Sequence, residues 1–136
     1  MAGASNYLEN ALLDHVLGGA TYTQPSTLYL ALFTGTAATV LANLEAGTLS
    51  DEITLGSYAR QAVTFNAASS GSASSAADVN FPTATANYDG QVTVIAVMDA
   101  STAGNVCFAG ELTVAKTVTT GDTFSVAAGN LTISLD

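Results

Sequence analysis

The chain has 136 residues, enough for one domain with a sizeable core, and 49% of them are hydrophobic. Eleven acidic residues stand against two basic ones, Arg60 and Lys116, which gives a formal net charge of -9. Proteins that bind nucleic acid or anionic membranes neutralise phosphates with several cations, so the sequence predicts that neither is a partner. We predict a single domain over residues 1–136.

The first predicted element is an amphipathic helix over Asn6–Leu17, which with its glycine stop occupies residues 5–19. Asn6 as the cap and Glu9 three residues later form a capping-box pattern. Gly18 and the glycine after it can adopt the left-handed conformation that ends many helices. Between these signals, large apolar residues recur at helical spacing. They are Leu8, Leu12 and Val16, with Leu13 and Leu17 widening the stripe.

The remainder, residues 25–136, predicts β structure. Short runs rich in β-branched and aromatic residues recur roughly every ten residues between Gly and Asx turns, which is typical of antiparallel sandwiches. We therefore predict a mainly β fold, an antiparallel β-sandwich of jelly-roll type preceded by the helix. The predicted strands are 27–33, 60–65, 78–81, 91–98, 106–112, 117–118, 123–127 and 131–135. Residues 34–51 are predicted as a connection with a helical turn around 40–44, and residues 67–77 as a flexible link.

Residues that carry enzyme chemistry are scarce. The single histidine, His15, lies inside the predicted helix with Asp14 on a different face, which disfavours a Ser-His-Asp arrangement. One Cys and one His cannot build a structural zinc site, and no phosphate-binding glycine loop is present. Calcium stays open as an alternative at the acidic loops, although none has EF-hand spacing. The sequence predicts a non-enzymatic protein without catalytic residues, cofactor or metal.

Arg60 and Tyr58 lie in the segment 56–61, where a loop enters a predicted strand. Arginine forms rigid bidentate contacts with carboxylates, and eleven acidic residues are available. We expect an ion pair that either fixes this loop or joins two subunits, with ligand binding as a third alternative. Both residues are therefore candidates for a partner interface.

Scaffold motifs follow one another along nearly the whole chain. They are SNYLENALL at 5–13, HVLGG at 15–19, TLYLALF at 27–33, GSYARQ at 56–61, DVNFPTA at 78–84, GDT at 121–123 and AGNLTI at 128–133. In this order they resemble a family of small virion structural proteins of tailed bacteriophages, often labelled tail-fibre or minor structural proteins. The resemblance implies a protein that is made in the host cytoplasm and carried in the virion.

Within that resemblance, small size and acidity favour a capsid decoration (cement) protein on the outer capsid surface, bound to the major capsid protein. The predicted helix either grips this partner or closes one end of the sandwich. The alternative is a tail, fibre or neck component that binds a host receptor or another tail protein; a glycan-binding protein or enzyme is a third hypothesis. Few lysines guard the strand edges, so we also expect a homotrimer or homodimer. The helical candidates for the partner interface are Tyr7, Leu8, Leu12, Leu13, Val16 and Leu17.

Overall fold

The structure, a computed structural model, describes residues 3–135 and is mainly β with two helices. The helices are α1 (Asn6–Leu17) and α2 (Ala37–Glu45). The strands are β1 (Gly3–Ala4), β2 (Leu28–Thr34), β3 (Gln61–Val63), β4 (Ser72–Ser74), β5 (Val79–Asn80), β6 (Val92–Met98), β7 (Val106–Lys116), β8 (Ser125–Val126) and β9 (Thr132–Ser134). The single-domain prediction over 1–136 also covers residues 1, 2 and 136, which lie outside the described residues.

Five strands form one antiparallel sheet in the order β1-β7-β6-β2-β3. The central strand β6 is apolar at every position except Thr93. All of its residues apart from Thr93 are buried. Such a run is consistent with a strand that is covered on both faces. The remaining strands pair as two short antiparallel ribbons, β4 with β9 and β5 with β8.

Both faces of the five-stranded sheet are buried, as the side chains of β2 show. Successive residues of a strand point to opposite faces. Leu30 and Leu32 belong to one core cluster, which includes Phe81 and residues of α1 and both ribbons. Ala31 and Phe33 belong to a second cluster, which contains the buried residues of α2. The sheet is therefore a middle layer, with α1 and the ribbons on one face and α2 on the other.

Helix α1 has the predicted bounds, but its N-cap differs from the prediction. Ser5 is extended, and its Oγ accepts a hydrogen bond from the Leu8 N–H at 3.3 Å. The same hydroxyl donates to the Val106 carbonyl of β7, so the cap also ties the helix to the sheet. The prediction of Asn6 as the cap is wrong, because Asn6 already belongs to the helix. Gly18 ends the helix as predicted, in the left-handed conformation with φ of 90°.

Helix α2 replaces most of the connection predicted over residues 34–51. The expected helical turn is the central part of a nine-residue helix, whose buried residues are Val40, Leu41 and Leu44. Their spacing of one, three and four residues puts them on one side of the helix, against the sheet. At nine residues the helix is too short to give a strong sequence signal, and burial against the sheet stabilises it.

The antiparallel mainly β class with an N-terminal helix is confirmed. The jelly-roll arrangement is not confirmed, because the described strands form one five-stranded sheet and two ribbons. The prediction that residues 67–77 are a flexible link is wrong. This segment contains β4, and Ser75, 1% exposed, exchanges backbone hydrogen bonds with Gly129 and Leu131. Small residues suit this position because two backbones approach closely there.

Candidate assembly surface

Helix α1 exposes three large aliphatic side chains on adjoining positions. Leu13 is 57% exposed, Val16 75% and Leu17 78%. Residues three and four apart are neighbours on a helix, so these three form one surface, which we call the α1 patch. Tyr7 is also exposed (41%), but six residues before Leu13 it lies on a different side of the helix.

The other two interface candidates on α1 contribute to the core. Leu8 is buried and belongs to the cluster shared by the sheet and the ribbons. Leu12 is partly buried and packs against the same cluster. The helix therefore turns only part of its apolar stripe inward. Leu12 and Val16, four residues apart, connect the buried part with the α1 patch.

A cavity of about 380 Å³ opens beside Leu12 on the inner side of α1. Its walls come from six separate segments of the chain, and among residues 3–135 no charged residue lines it. Cys107 lies in its lining, and Leu135, 58% exposed, is also part of the wall. We call this space the α1 cavity. Its volume is within the range of small-ligand pockets, which are lined mainly by apolar side chains.

The two weakly acidic side chains in the α1 cavity stay uncharged at neutral pH. Burial raises the pKa of Tyr22 to about 12, with the neighbouring Cys107 as the next cause. Burial likewise raises the pKa of the Cys107 thiol to about 11. Desolvation disfavours the charged form of each group. The cavity therefore presents a neutral, apolar lining to whatever enters it.

Carboxylates border the α1 patch. Glu9 is exposed and precedes Leu13 by four residues and Val16 by seven, which places it on the same side of the helix. Asp14 is exposed three residues before Leu17. The helix has no Lys or Arg, and Nδ1 of His15 accepts a hydrogen bond from the Tyr22 N–H at 3.1 Å. The patch is thus aliphatic with an acidic border.

Arg60 forms the predicted ion pair, within the chain. Its Nε donates to Oε1 of Glu52 and its Nη2 to Oε2, both at 2.7 Å. Its Nη1 donates to the carbonyls of Ala100 at 2.8 Å and Ala103 at 2.7 Å. The hydrogen bonds with Glu52 raise the pKa of Arg60 further, so its charge is permanent. The side chain is 3% exposed, and the structural alternative for Arg60 is thereby observed.

Tyr58 belongs to the same network. Its hydroxyl donates to Oε1 of Glu52 at 2.9 Å and accepts from the Leu32 N–H at 3.0 Å. Its ring stacks on Phe81 and meets Tyr88 edge-on, with centroids 6.0 and 6.3 Å apart. Burial raises its pKa above the usual range for tyrosine. The hydroxyl of Tyr58 is hydrogen-bonded inside the chain, so the exposed part of the predicted interface consists of the α1 patch and Tyr7.

Sequence reasoning missed the α1 cavity. Tyr22, Leu28, Phe65 and Leu135 line it but are distant from one another in the chain. No local spacing joins them, because the sheet and the β4–β9 ribbon bring them together. In the sequence, these lining residues appear only as apolar side chains near the ends of predicted strands or in loops, and such positions do not indicate a cavity.

In the part of the chain that the structure describes, the outer edge of strand β7 is only partly paired. The two-residue strand β1 pairs with Ala109 and Phe108 only, whereas β7 continues to Lys116. On the other side, the register between β6 and β7 shifts between the pairs Val94↔Glu111 and Val92↔Lys116. Within residues 3–135, the end of β7 toward Lys116 has no strand partner on its outer edge, so it can accept another strand there.

The described residues offer neither a metal centre nor a membrane span. Among residues 3–135, no group of three or more His, Cys, Asp and Glu side chains is arranged to hold a metal ion. No helix in that same range is both long enough and apolar enough to cross a membrane.

Residues 3–134 match the family model described as podophage GP4 fiber I protein gp80. The chain belongs to this family. The predicted resemblance to small phage virion proteins is thereby confirmed, and the protein is a structural protein of a bacteriophage virion. No curated protein matches the chain.

Proposed function

We propose that this protein is a non-enzymatic fibre component of a podophage-type virion and that it attaches through the α1 patch. The family match carries the proposal, because it spans residues 3–134 and its description names a fibre protein. The exposed aliphatic side chains of α1 support it, since contiguous apolar surface marks protein–protein contact sites. The sequence interpretation gave the fibre role as its alternative to capsid decoration, and the support for choosing it here is that the family description names a fibre protein.

The architecture suits a compact fibre part rather than a shaft. Shafts are long and repetitive, whereas the described residues form one sheet, two ribbons and two helices without a repeated unit. A fibre tip or an adaptor needs a rigid body and a docking surface. Here the buried sheet provides the rigid body, and the α1 patch provides the docking surface.

Capsid decoration remains a second candidate, with the major capsid protein as the partner. Its support is the charge of -9 on a small chain, which suits a position on the outer surface of the shell. The same α1 patch would then grip the shell. Both candidates are docking roles, and neither requires catalysis, a cofactor or a metal.

We also propose that copies of the protein associate as a homotrimer or homodimer. Among residues 3–135 the outer edge of β7 toward Lys116 has no partner strand, which supports this, because strand edges commonly pair with neighbouring subunits. Lys116 at the end of β7 is the basic residue that forms no ion pair within residues 3–135. A contact along β7 would place it near the acidic Glu111 of another copy. Sedimentation of the purified chain tests this association.

Copy number in purified virions separates the fibre role from the capsid role. Quantitative mass spectrometry, with the major capsid protein as the internal reference, measures it directly. A fibre component is expected at a small fraction of the major capsid protein and should remain on tails after heads are removed. A copy number comparable to that of the major capsid protein, with loss from isolated tails, would contradict the fibre role and support decoration.

A further inference from the structure

We propose that the α1 patch and the α1 cavity together bind an apolar segment of another virion protein that also carries Lys or Arg residues. This inference rests on the proposed docking role and adds the chemistry of the partner. The partner's apolar side chains enter the α1 cavity and cover Leu13, Val16 and Leu17. Its cations face the carboxylates of α1.

An apolar partner is inferred because the α1 patch is continuous with the α1 cavity. Leu12 lines the cavity, and Val16, one helical turn later, is 75% exposed. Leu135, in the cavity wall, is 58% exposed as well. The helix side and the cavity therefore form one apolar surface, and a single amphipathic segment can cover both. This is the geometry of an apolar face laid into a groove.

The carboxylates beside the α1 patch favour a partner that carries positive charge. A segment that covers Leu13 and Val16 also approaches Glu9, and one that covers Leu17 approaches Asp14. Removing water from a carboxylate without supplying a cation is costly. A partner with Lys or Arg beside its apolar residues avoids that cost, whereas a neutral or acidic partner does not. Electrostatic complementarity of this kind determines partner choice and association rate.

The same charges disfavour a second copy of this chain at the α1 patch. Each copy has a net charge of -9 and brings its own Glu9 and Asp14. The two cations of the chain are not on α1: Arg60 is paired with Glu52, and Lys116 ends β7. A symmetric contact through α1 would bring like charges together. The occupant is therefore a different, basic protein segment.

The experiment uses the full chain and two synthetic helical peptides that share their leucines. In one peptide the polar positions are lysine and in the other glutamate. Binding is followed by fluorescence polarisation at low and high salt. The lysine peptide is expected to bind, more weakly at high salt, and the glutamate peptide is not.

Matched variants locate the binding site. Val16→Ser with Leu17→Ser removes two apolar contacts and should weaken binding of the lysine peptide about tenfold or more. The control Val114→Ser changes another exposed valine (63%), on β7, and should leave binding unchanged. The buried Cys107 thiol should stay slow to react in each variant, which verifies that the fold is intact.

A second pair of variants separates local charge from net charge. Glu9→Gln with Asp14→Asn removes the two carboxylates beside the patch. Asp89→Asn with Asp78→Asn removes two exposed carboxylates that lie outside both α1 and β7, and it changes the net charge equally. Only the first pair should weaken binding of the lysine peptide by several-fold and reduce its dependence on salt.

Three results would overturn the inference: equal binding of both peptides, equal effects of the two charge variants, or loss of self-association in the Val16→Ser, Leu17→Ser variant. The last would assign the α1 patch to a second copy of the chain. These results are independent of virion copy number. If copy number places the protein on the shell while the lysine peptide still binds at α1, the fibre role fails and the partner chemistry stands.

Discussion

The two helices lie on opposite faces of the five-stranded sheet and are buried to very different extents. Helix α2 buries Val40, Leu41 and Leu44 in a dedicated core cluster. Helix α1 is longer, yet the only residue it buries fully is Leu8, and it leaves Val16 and Leu17 mostly exposed. Both helices carry an apolar stripe, but only α2 buries its stripe fully against its own chain. Helix α1 leaves part of its stripe exposed to solvent, and it is therefore the candidate docking element.

The largest expected effect lies in the network that joins the loop after α2 to the rest of the sheet. Arg60→Met removes the partner of Glu52 and leaves a partly buried carboxylate, so we expect a loss of about 4 kcal/mol in the free energy of unfolding. Urea denaturation measures it. The double variant Arg60→Met, Glu52→Leu should recover much of the loss, because neither charge is then buried. A single variant as stable as the native chain would show that the pair does not stabilise this region.

The next effect tests the core under α2. Leu44→Ala removes a fully buried side chain and leaves a cavity, so the free energy of unfolding should fall by about 3 kcal/mol. The same denaturation experiment applies. If the loss were below about 1 kcal/mol, α2 would be no better packed than α1 and the contrast between the helices would disappear.

A smaller effect is expected where α1 is attached to the sheet. Ser5→Ala removes the cap of the Leu8 N–H and the donor to the Val106 carbonyl, which together should cost about 1–2 kcal/mol. Ser5→Thr keeps both hydrogen-bonding functions and serves as the control. Hydrogen exchange of the α1 amides should increase in the alanine variant while the β6 amides stay protected. Equal changes in both elements would mean that α1 unfolds only together with the sheet.

The smallest effect on stability is expected at the α1 patch. Leu17→Ser should change the free energy of unfolding by less than about 0.5 kcal/mol, because the side chain is 78% exposed. Its incorporation into virions, measured in a competition with the native chain, should nevertheless fall. A large loss of stability would instead show that the patch is part of the core. Unchanged incorporation would remove α1 from the docking surface.

The sequence predicted the elements with strong local signals. The periodic stripe and glycine stop located α1, and the β-branched run located β6. It missed the extent of α2, which at nine residues is too short to show a clear helical period, and the strand β4 within a segment of Ser, Ala and Gly. Those elements form because the sheet offers them backbone partners and apolar surface.

For the candidate site, the sequence identified the right helix but could not separate its inward side from its outward side. The pattern put Val16 in the same stripe as Leu8 and Leu12, with Leu13 and Leu17 widening it, and all of them were candidates for the interface. The position of the helix on the sheet made Leu8 and Leu12 core residues and left Leu13, Val16 and Leu17 exposed. Similarly, Arg60 was an evident ion-pair candidate, but its choice of Glu52 depends on how two loops meet.

By itself, the sequence determined the acidic character of the protein, its mainly β class, its N-terminal helix and its resemblance to phage virion proteins. These properties depend on composition, local spacing and the order of motifs, all of which are written along the chain. Only the tertiary structure decided which part of the apolar stripe is buried, where the α1 cavity lies and which carboxylate holds Arg60. Burial and pairing depend on contacts between residues that are far apart in sequence, and local patterns carry no record of them.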